Sequence, residues 1–239
     1  SKCPECGTEL IRKEEEANHY CPNEYGCPPQ IKGKMTHFTS RKAMDIDSLG
    51  EETIELLCES KLIKNIADIY ELKNKKDDML ALERMGEKSV ENVLTGIEES
   101  KKIPFERVLY ALGIRHIGET TAKKLAFFFK NISAMKEADE KQLLEVGDIG
   151  EIIAKSVTEY FADKKNTELI ERLRKHKLNF ELSEEALANT SDKLKGLTFV
   201  VSGTFEKFSR DDLKKAIEQN GGKVTGSVSG NTSFIVAGE

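Results

Sequence analysis

A five-residue pattern occurs four times in the stretch from residue 41 to about residue 180, and it constrains the fold more than any other feature. Each copy has an apolar residue, two variable residues, a second apolar residue and a glycine. The copies are IDSLG at 46–50, LERMG at 82–86, IRHIG at 114–118 and VGDIG at 146–150. An apolar residue recurs four positions after each glycine, as Ile54, Val90, Ala122 and Ala154. The repeat predicts four units of helix, tight turn and helix.

Each repeat has the layout of a helix-hairpin-helix motif, in which the glycine begins the second helix. Glycine lets backbone approach a ligand closely, and the first N–H groups of a helix are unpaired and lie at the positive end of its dipole. This arrangement favours binding of a DNA phosphate without reading of the bases. An ordinary helical bundle with glycine as helix punctuation is the alternative. Four copies in phase favour the DNA-binding interpretation.

The turns differ in the charges beside them. Arg84 and Lys88 flank the second glycine, so this turn is expected to attract phosphate most strongly. The third turn follows, with Arg115 and His116 before its glycine and Lys123 and Lys124 a turn or so into its helix. The predicted nucleic-acid-binding residues are Arg41, Gly50, Arg84, Gly86, Lys88, Arg115, His116, Gly118, Lys123 and Gly150.

The first and fourth turns are expected to bind phosphate less well. The first is surrounded by Asp45, Asp47, Glu51 and Glu52, which Arg41 and Lys42 offset only in part. The residue two before the glycine is itself glycine in the strongest hairpins. It is Ser48, Arg84, His116 and Asp148 in the four copies. Close approach of a phosphate is therefore least favoured at the fourth turn.

Two pairs of cysteines near the start of the chain predict a metal site. Cys3 and Cys6 form a CPEC knuckle, and Cys21 and Cys27 form a second pair in CPNEYGC. Two such pairs separated by a loop suit one structural zinc held by four thiolates. Disulfides or unliganded thiols are the alternative, but so small a segment with few apolar residues needs a staple to fold. His19 competes with Cys21, which is preferred because Cys27 completes a second cysteine turn.

The formal net charge is -5, which is unusual for a DNA-binding protein because affinity normally comes from Lys and Arg displacing counterions. Binding must then rest on local cations and on backbone N–H groups. No apolar run approaches the roughly 20 residues that span a bilayer. The N-terminus opens on the cysteine knuckle, so no signal peptide is expected and a reducing cytoplasm is the default.

The last part of the chain has a different pattern. After a polar stretch, LTFVVSG is typical of a buried strand, and KVTGSV and TSFIVAG are typical of two further strands. Between them SRDDLKKAIEQNGG predicts a helix capped by Ser209 and ended by Gly221. This β-α-β-β order, with its SGTF turn and GGKV helix exit, resembles the opening of the BRCT fold. SGT at 202–204 predicts either a phosphate-binding turn or a plain tight turn.

Taken in order, the knuckles, HFTSRKAMDIDSLGEE, LERMGEKSVENVL, LYALGIRHIGETTAKKLA and the BRCT-like start resemble the C-terminal half of bacterial NAD-dependent DNA ligases. Two positions depart from the family pattern: Ser48 replaces a usual glycine and Gly147 a usual proline. The resemblance implies an enzyme that seals nicks in duplex DNA in replication and repair, with NAD as adenylate donor and Mg²⁺. The resemblance also implies that NAD and Mg²⁺ bind outside this chain, where the parent protein has N-terminal adenylation and OB-fold domains.

No KxDG lysine motif occurs in this chain, so we expect no catalytic residue in it and no activity of the chain alone. It is expected to act as a monomer that binds nicked duplex DNA in the bacterial cytoplasm, associated with the nucleoid, and to work with the adenylation and OB-fold domains of its parent. No membrane partner is expected. A stand-alone, non-catalytic DNA-repair scaffold is the alternative. The start before Cys3 and the stop within the BRCT-like segment favour a ligase fragment.

The predicted fold is multidomain and mainly α-helical. The predicted domains are a four-cysteine zinc finger at 1–37, an all-α domain of four hairpins at 38–182, a linker at 183–195 and the N-terminal part of an α/β BRCT domain at 196–239.

Overall fold

The computed structural model describes residues 1–12, 18–188, 191 and 193–238. Its helices are α1 (Pro28–Thr39), α2 (Glu51–Glu59), α3 (Lys76–Leu80), α4 (Glu87–Ser100), α5 (Phe105–Ala111), α6 (Glu119–Phe129), α7 (Ile132–Glu137), α8 (Glu140–Leu144), α9 (Glu151–Ala162), α10 (Lys164–Lys175), α11 (Glu184–Ala188) and α12 (Arg210–Gln219). A 3-10 helix covers Asp68–Lys75, and the strands are β1 (Thr198–Ser202), β2 (Lys223–Thr225) and β3 (Phe234–Ala237). The predicted fold class, mainly helical with a small α/β part, is confirmed. Among the described helices, none is both long and apolar enough to cross a membrane.

The chain forms two compact units, each of which carries two hairpins. The first comprises Ser1–Ile103 and Glu171–Lys177, and the second comprises Pro104–Ile170 and Leu178–Glu239. The domain boundaries drawn from the sequence remain predictions. The stretch predicted as a linker includes α11, while its residues 189, 190 and 192, like residue 239 of the predicted BRCT part, lie outside the described residues.

All four hairpins have the predicted local structure. Gly50, Gly86, Gly118 and Gly150 are the N-caps of α2, α4, α6 and α9. The apolar residues four positions after them are buried to 1% exposure or less: Ile54, Val90, Ala122 and Ala154. Each second helix therefore buries one face directly after its exposed glycine, which fixes how the turn is presented to solvent.

In the first unit, a glycine inside α4 sets the position of the first turn. Gly96 is buried, and a Cβ built on it would lie 2.5 Å from the carbonyl oxygen of Asp47 and 3.0 Å from its nitrogen. Real Cβ atoms do not approach backbone atoms so closely. The backbone of the first turn thus lies directly on α4, in contact that only glycine permits.

The segment Glu171–Lys177 joins the first unit through ion pairs and ring stacking. The guanidinium of Arg172 donates to Asp68 at 2.7 Å and to Glu71 at 2.6 Å. The ring of His176 stacks on Tyr70, with ring centroids 5.9 Å apart. Both contacts hold the end of α10 against the 3-10 helix. No local feature of the sequence predicted this packing.

In the second unit, residues 193–238 form what we call the strand–helix module. Its three strands are parallel in the order β2-β1-β3, so β1 is central. The predicted caps of α12 are confirmed: the side chain of Ser209 accepts the N–H of Asp212, and Gly221 follows the helix with φ of +82°. A small core of Phe199, Val201, Ile217 and Val224 lies between α12 and the sheet.

Candidate metal centre and nucleic-acid interface

Four cysteine thiols meet in the N-terminal segment. The Sγ atoms of Cys3, Cys6, Cys21 and Cys27 all lie within 4.8 Å of one another. The Cys3–Cys27 pair is 3.9 Å apart and the Cys6–Cys21 pair 3.4 Å. A regular tetrahedron with Zn–S bonds of about 2.3 Å has S–S edges of about 3.8 Å, whereas a disulfide bond is about 2.05 Å long. The distances fit a tetrahedral metal site and exclude disulfides.

Tight local structure presents these thiols. The N–H of Gly7 donates to the carbonyl of Cys3 at 2.9 Å, and Gly7 has φ of +71°, which favours glycine. The side-chain amide of Gln30, in the first turn of α1, donates to the carbonyl of Cys21 at 2.8 Å. His19 is exposed and lies outside the thiol cluster. The thiol of Cys21 lies in the cluster, and its preference over His19 as a metal ligand remains a prediction.

The acidities of the thiols differ strongly. The hydroxyl of Thr8, 3.3 Å from the sulfur of Cys6, lowers the pKa of that thiol to about 6. Burial raises the pKa of Cys21 to about 12 and also raises the pKa of Cys27. Four thiolates at these separations repel one another, so a divalent cation is the group that would hold them all deprotonated. Four soft sulfur ligands leave no open coordination position, which suits a structural zinc.

Neither backbone conformation nor internal packing requires glycine at the four hairpin positions. Their φ angles are -78°, -74°, -83° and -98°, which any residue adopts. A Cβ built on Gly50, Gly86, Gly118 or Gly150 would meet no atom within 4 Å. Each glycine therefore leaves open surface at the start of a helix, where backbone N–H groups have no intrahelical partner.

The residue two before each glycine has a left-handed backbone. The φ angles are +62° at Ser48, +73° at Arg84, +64° at His116 and +62° at Asp148. Non-glycine residues adopt this conformation at a cost of roughly 1 kcal/mol or more. The fourth turn thus keeps the backbone conformation of the other three, and what distinguishes it is the charge of Asp148.

The basic residues predicted at the second and third turns face solvent. Arg84, Lys88, Arg115, His116 and Lys123 are all exposed. Arg41 and Lys42, upstream of the first turn, are exposed as well. The structure therefore places the predicted cations where an external ligand can reach them.

Lys124 has a different environment from its neighbour Lys123. Its ammonium lies 2.6 Å from the carboxylate of Asp148 and 3.0 Å from that of Glu218, and its side chain is only 12% exposed. Burial opposes the charge of Lys124, yet hydrogen bonds to the two carboxylates raise its pKa above the ordinary value. The position of Lys124 in the sequence predicts that it serves the third turn. In the structure its ammonium instead pairs with Asp148 in the acidic fourth turn.

The acidic first turn also has a partner that sequence reasoning missed. The ammonium of Lys32, on α1, lies 2.8 Å from Glu55 and 3.4 Å from Glu51. Hydrogen bonds to these carboxylates raise the pKa of Lys32, against the opposing effect of burial. Part of the negative charge beside Gly50 is therefore offset by a residue from the preceding helix.

The SGT segment at 202–204 has an internal reason for its glycine. Gly203 has φ of +90°, and a Cβ built on it would lie 2.7 Å from the carbonyl oxygen of Gly238. The N–H of Gly238 donates to the carbonyl of Ser202 at 2.9 Å. This close backbone packing favours the plain tight turn over a phosphate-binding turn.

Comparisons with known families match three regions of the chain. Residues 2–28 match the NAD-dependent DNA ligase C4 zinc finger domain. Residues 107–170 match a helix-hairpin-helix motif, and residues 189–239 match the BRCA1 C Terminus (BRCT) domain. The matches include the thiol cluster, the third and fourth turns and the strand–helix module.

Proteins named DNA ligase are similar to this chain over nearly its whole length. The DNA ligase of Flavobacterium johnsoniae is 57% identical over 237 residues, which cover 99% of this chain and 35% of that protein. Those of Christiangramia forsetii and Parabacteroides distasonis are each 56% identical, over 100% and 99% of this chain and 36% and 35% of the respective proteins. The chain spans about a third of the length of these curated relatives.

Proposed function

We propose that this chain, which belongs to the NAD-dependent DNA ligase family, holds duplex DNA by its phosphate backbone for such a ligase. The carrying observation is the set of four exposed glycines that begin helices and have open space at the Cβ position. Neither packing nor backbone conformation requires glycine there, so the missing side chain matters to a partner outside the chain. Similarity to proteins named DNA ligase along 99% of the chain favours a ligase over a stand-alone repair scaffold.

In this proposal each working turn hydrogen-bonds one phosphate through the first N–H groups of its second helix. Arg84 and Lys88 add positive charge beside Gly86, and Arg115, with Lys123 farther along its helix, does so near the third turn. Phosphates carry no sequence information, so the chain binds nicked duplex DNA without base preference. Several weak contacts on one chain combine into useful affinity despite the net charge of -5.

The complete ligase is proposed to seal nicks with NAD as adenylate donor and with Mg²⁺, both bound outside this chain by adenylation and OB-fold domains of the same protein. A zinc ion bound by Cys3, Cys6, Cys21 and Cys27 would tie the two cysteine turns together at the start of α1. Its role is structural, because four thiolates complete its coordination.

The substitution Gly86→Val tests the proposal, with Gly50→Val as its matched control. Both sites have an extended φ and open space, so valine fits without strain in either turn. Loss of one charge-assisted phosphate contact at the second turn is expected to weaken binding about ten-fold. The Gly50→Val effect should be smaller because carboxylates surround the first turn. Binding is measured by fluorescence anisotropy on a nicked duplex, after circular dichroism shows that both variants are folded.

The same titrations, repeated over a range of salt concentrations, measure how many phosphates are neutralised. Roughly one phosphate per working turn gives a shallow slope of log affinity against log salt, about -2 to -4. Equal affinities of folded Gly86→Val and unmutated protein would exclude the second turn as a principal phosphate contact. A steep slope would instead indicate binding dominated by side-chain cations.

The zinc site has its own test. Metal analysis of protein purified without chelator is expected to find one zinc per chain. Cys21→Ser should lower the metal content, whereas His19→Ala should leave it unchanged because imidazole is not a ligand. Protein without zinc, or loss of metal in the histidine variant, would contradict the proposed ligand set.

A further inference from the structure

The fourth turn combines a phosphate-binding geometry with an unfavourable charge. Gly150 begins α9 and leaves open space at its Cβ position, as in the other three hairpins. Asp148, at the left-handed position two residues earlier, has a side chain that is 68% exposed. A carboxylate at that position repels a phosphate bound at the start of α9. Without compensation, this charge would weaken phosphate binding at the fourth turn.

The compensation comes from another hairpin. Lys124, on α6, places its ammonium 2.6 Å from the carboxylate of Asp148. Glu218, on α12, holds the same ammonium from a second side at 3.0 Å. Because the Lys124 side chain is only 12% exposed and engages two carboxylates, it is fixed beside the turn and does not extend into solvent.

We propose that Lys124 is a positioning residue that neutralises Asp148 and thereby lets the fourth turn bind a DNA phosphate. This inference rests on the proposed function. Lys124 acts through Asp148 and does not itself contact DNA, which separates its role from that of exposed Lys123. Lys223 packs against the same turn, since its Cγ lies 3.5 Å from a Cβ built on Gly147. Glu218 anchors the same ammonium from α12.

The experiment is a double-mutant cycle on the full chain. Lys124→Gln is expected to weaken binding to a nicked duplex about three- to ten-fold, the effect of one unit charge roughly 6 Å from a phosphate in well-solvated surroundings. Asp148→Asn introduced into that variant is expected to restore affinity to within about two-fold of the unmutated protein. Lys214→Gln is the matched control: it also removes one positive charge from an ion pair, with Asp211 on α12, and should change affinity by less than about two-fold.

Each outcome decides the inference. If Gly150→Val weakens binding but Lys124→Gln does not, the inference fails while the proposed function stands. If the double variant binds as weakly as Lys124→Gln, the lysine acts by direct contact or by general stabilisation, and the inference again fails. Absence of DNA binding by the unmutated chain would overturn both proposals.

A folding defect in Lys124→Gln, detected by circular dichroism, leaves Asp148→Asn in the unmutated background as the deciding variant. Its affinity should rise about three- to ten-fold, because loss of the Asp148 charge leaves the charge of Lys124 uncancelled beside the turn. An unchanged affinity would show that the charge of Asp148 does not act on a phosphate at the fourth turn, and would overturn the inference.

Discussion

Replacing Gly96 by alanine should destabilise the protein, although alanine is the better helix former. In the interior of an exposed helix, glycine to alanine stabilises by up to about 1 kcal/mol. At Gly96 the new Cβ would lie 2.5 Å from the carbonyl oxygen of Asp47. That atom belongs to backbone, so no rotamer change relieves the overlap, and either α4 or the first turn must shift.

The magnitude follows from these two opposing effects. Overpacking of a tightly packed site costs about 1–3 kcal/mol, with the upper end expected for contact between two backbones. After the gain in helix propensity, Gly96→Ala should lower the free energy of unfolding by about 1–2 kcal/mol. Gly33→Ala is the matched control, because Gly33 lies inside α1, is exposed and has no atom within 4 Å of a built Cβ. It should raise the free energy of unfolding by up to about 1 kcal/mol.

Urea denaturation followed by circular dichroism measures both variants. With a slope of about 2 kcal/mol per molar urea, the combined difference of about 1–3 kcal/mol should separate their midpoints by about 0.5–1.5 M, with the unmutated protein between them. Equal stabilisation by the two substitutions would mean that the first turn does not lie on α4. Gly96→Ala should also weaken DNA binding less than Gly86→Val does, because Gly96 is buried away from solvent.

Two further predictions concern the segment at the end of α10. Arg172→Gln should lower the free energy of unfolding by about 1 kcal/mol, since its ion pairs are partly exposed. Arg174→Gln, which breaks an exposed ion pair within the helix, should change the urea midpoint less. Burial lowers the pKa of His176 below its ordinary 6.5 despite the opposing charge of Glu71. The unfolded chain then binds more protons, so stability falls as pH drops through about 6.5. This fall, measured by denaturation between about pH 7 and 5, should be smaller in His176→Gln; an unchanged pH profile would contradict it.

The amino-acid sequence was enough to predict the hairpins, the thiol cluster and the limits of α12. The apolar spacing and the four glycines predicted the hairpins, and every one of those glycines begins a helix. The cysteine spacing predicted the thiol cluster, and Ser209 and Gly221 predicted the limits of α12. These features are readable because helix periodicity, capping and metal ligation depend on residues a few positions apart or on ligands of distinctive chemistry.

Which charges are paired and which glycines face open space depends on how the helices pack. Lys124 and Asp148 are 24 residues apart and meet because α6 packs beside the fourth turn, so no local pattern pairs them. Gly86 belongs to the repeated pattern and faces open space, whereas no sequence feature indicates that Gly96 lies against the backbone of a different hairpin. Coulombic attraction and steric exclusion both depend on separation in space. The packing of the hairpins sets that separation, which helical periodicity in the sequence does not predict.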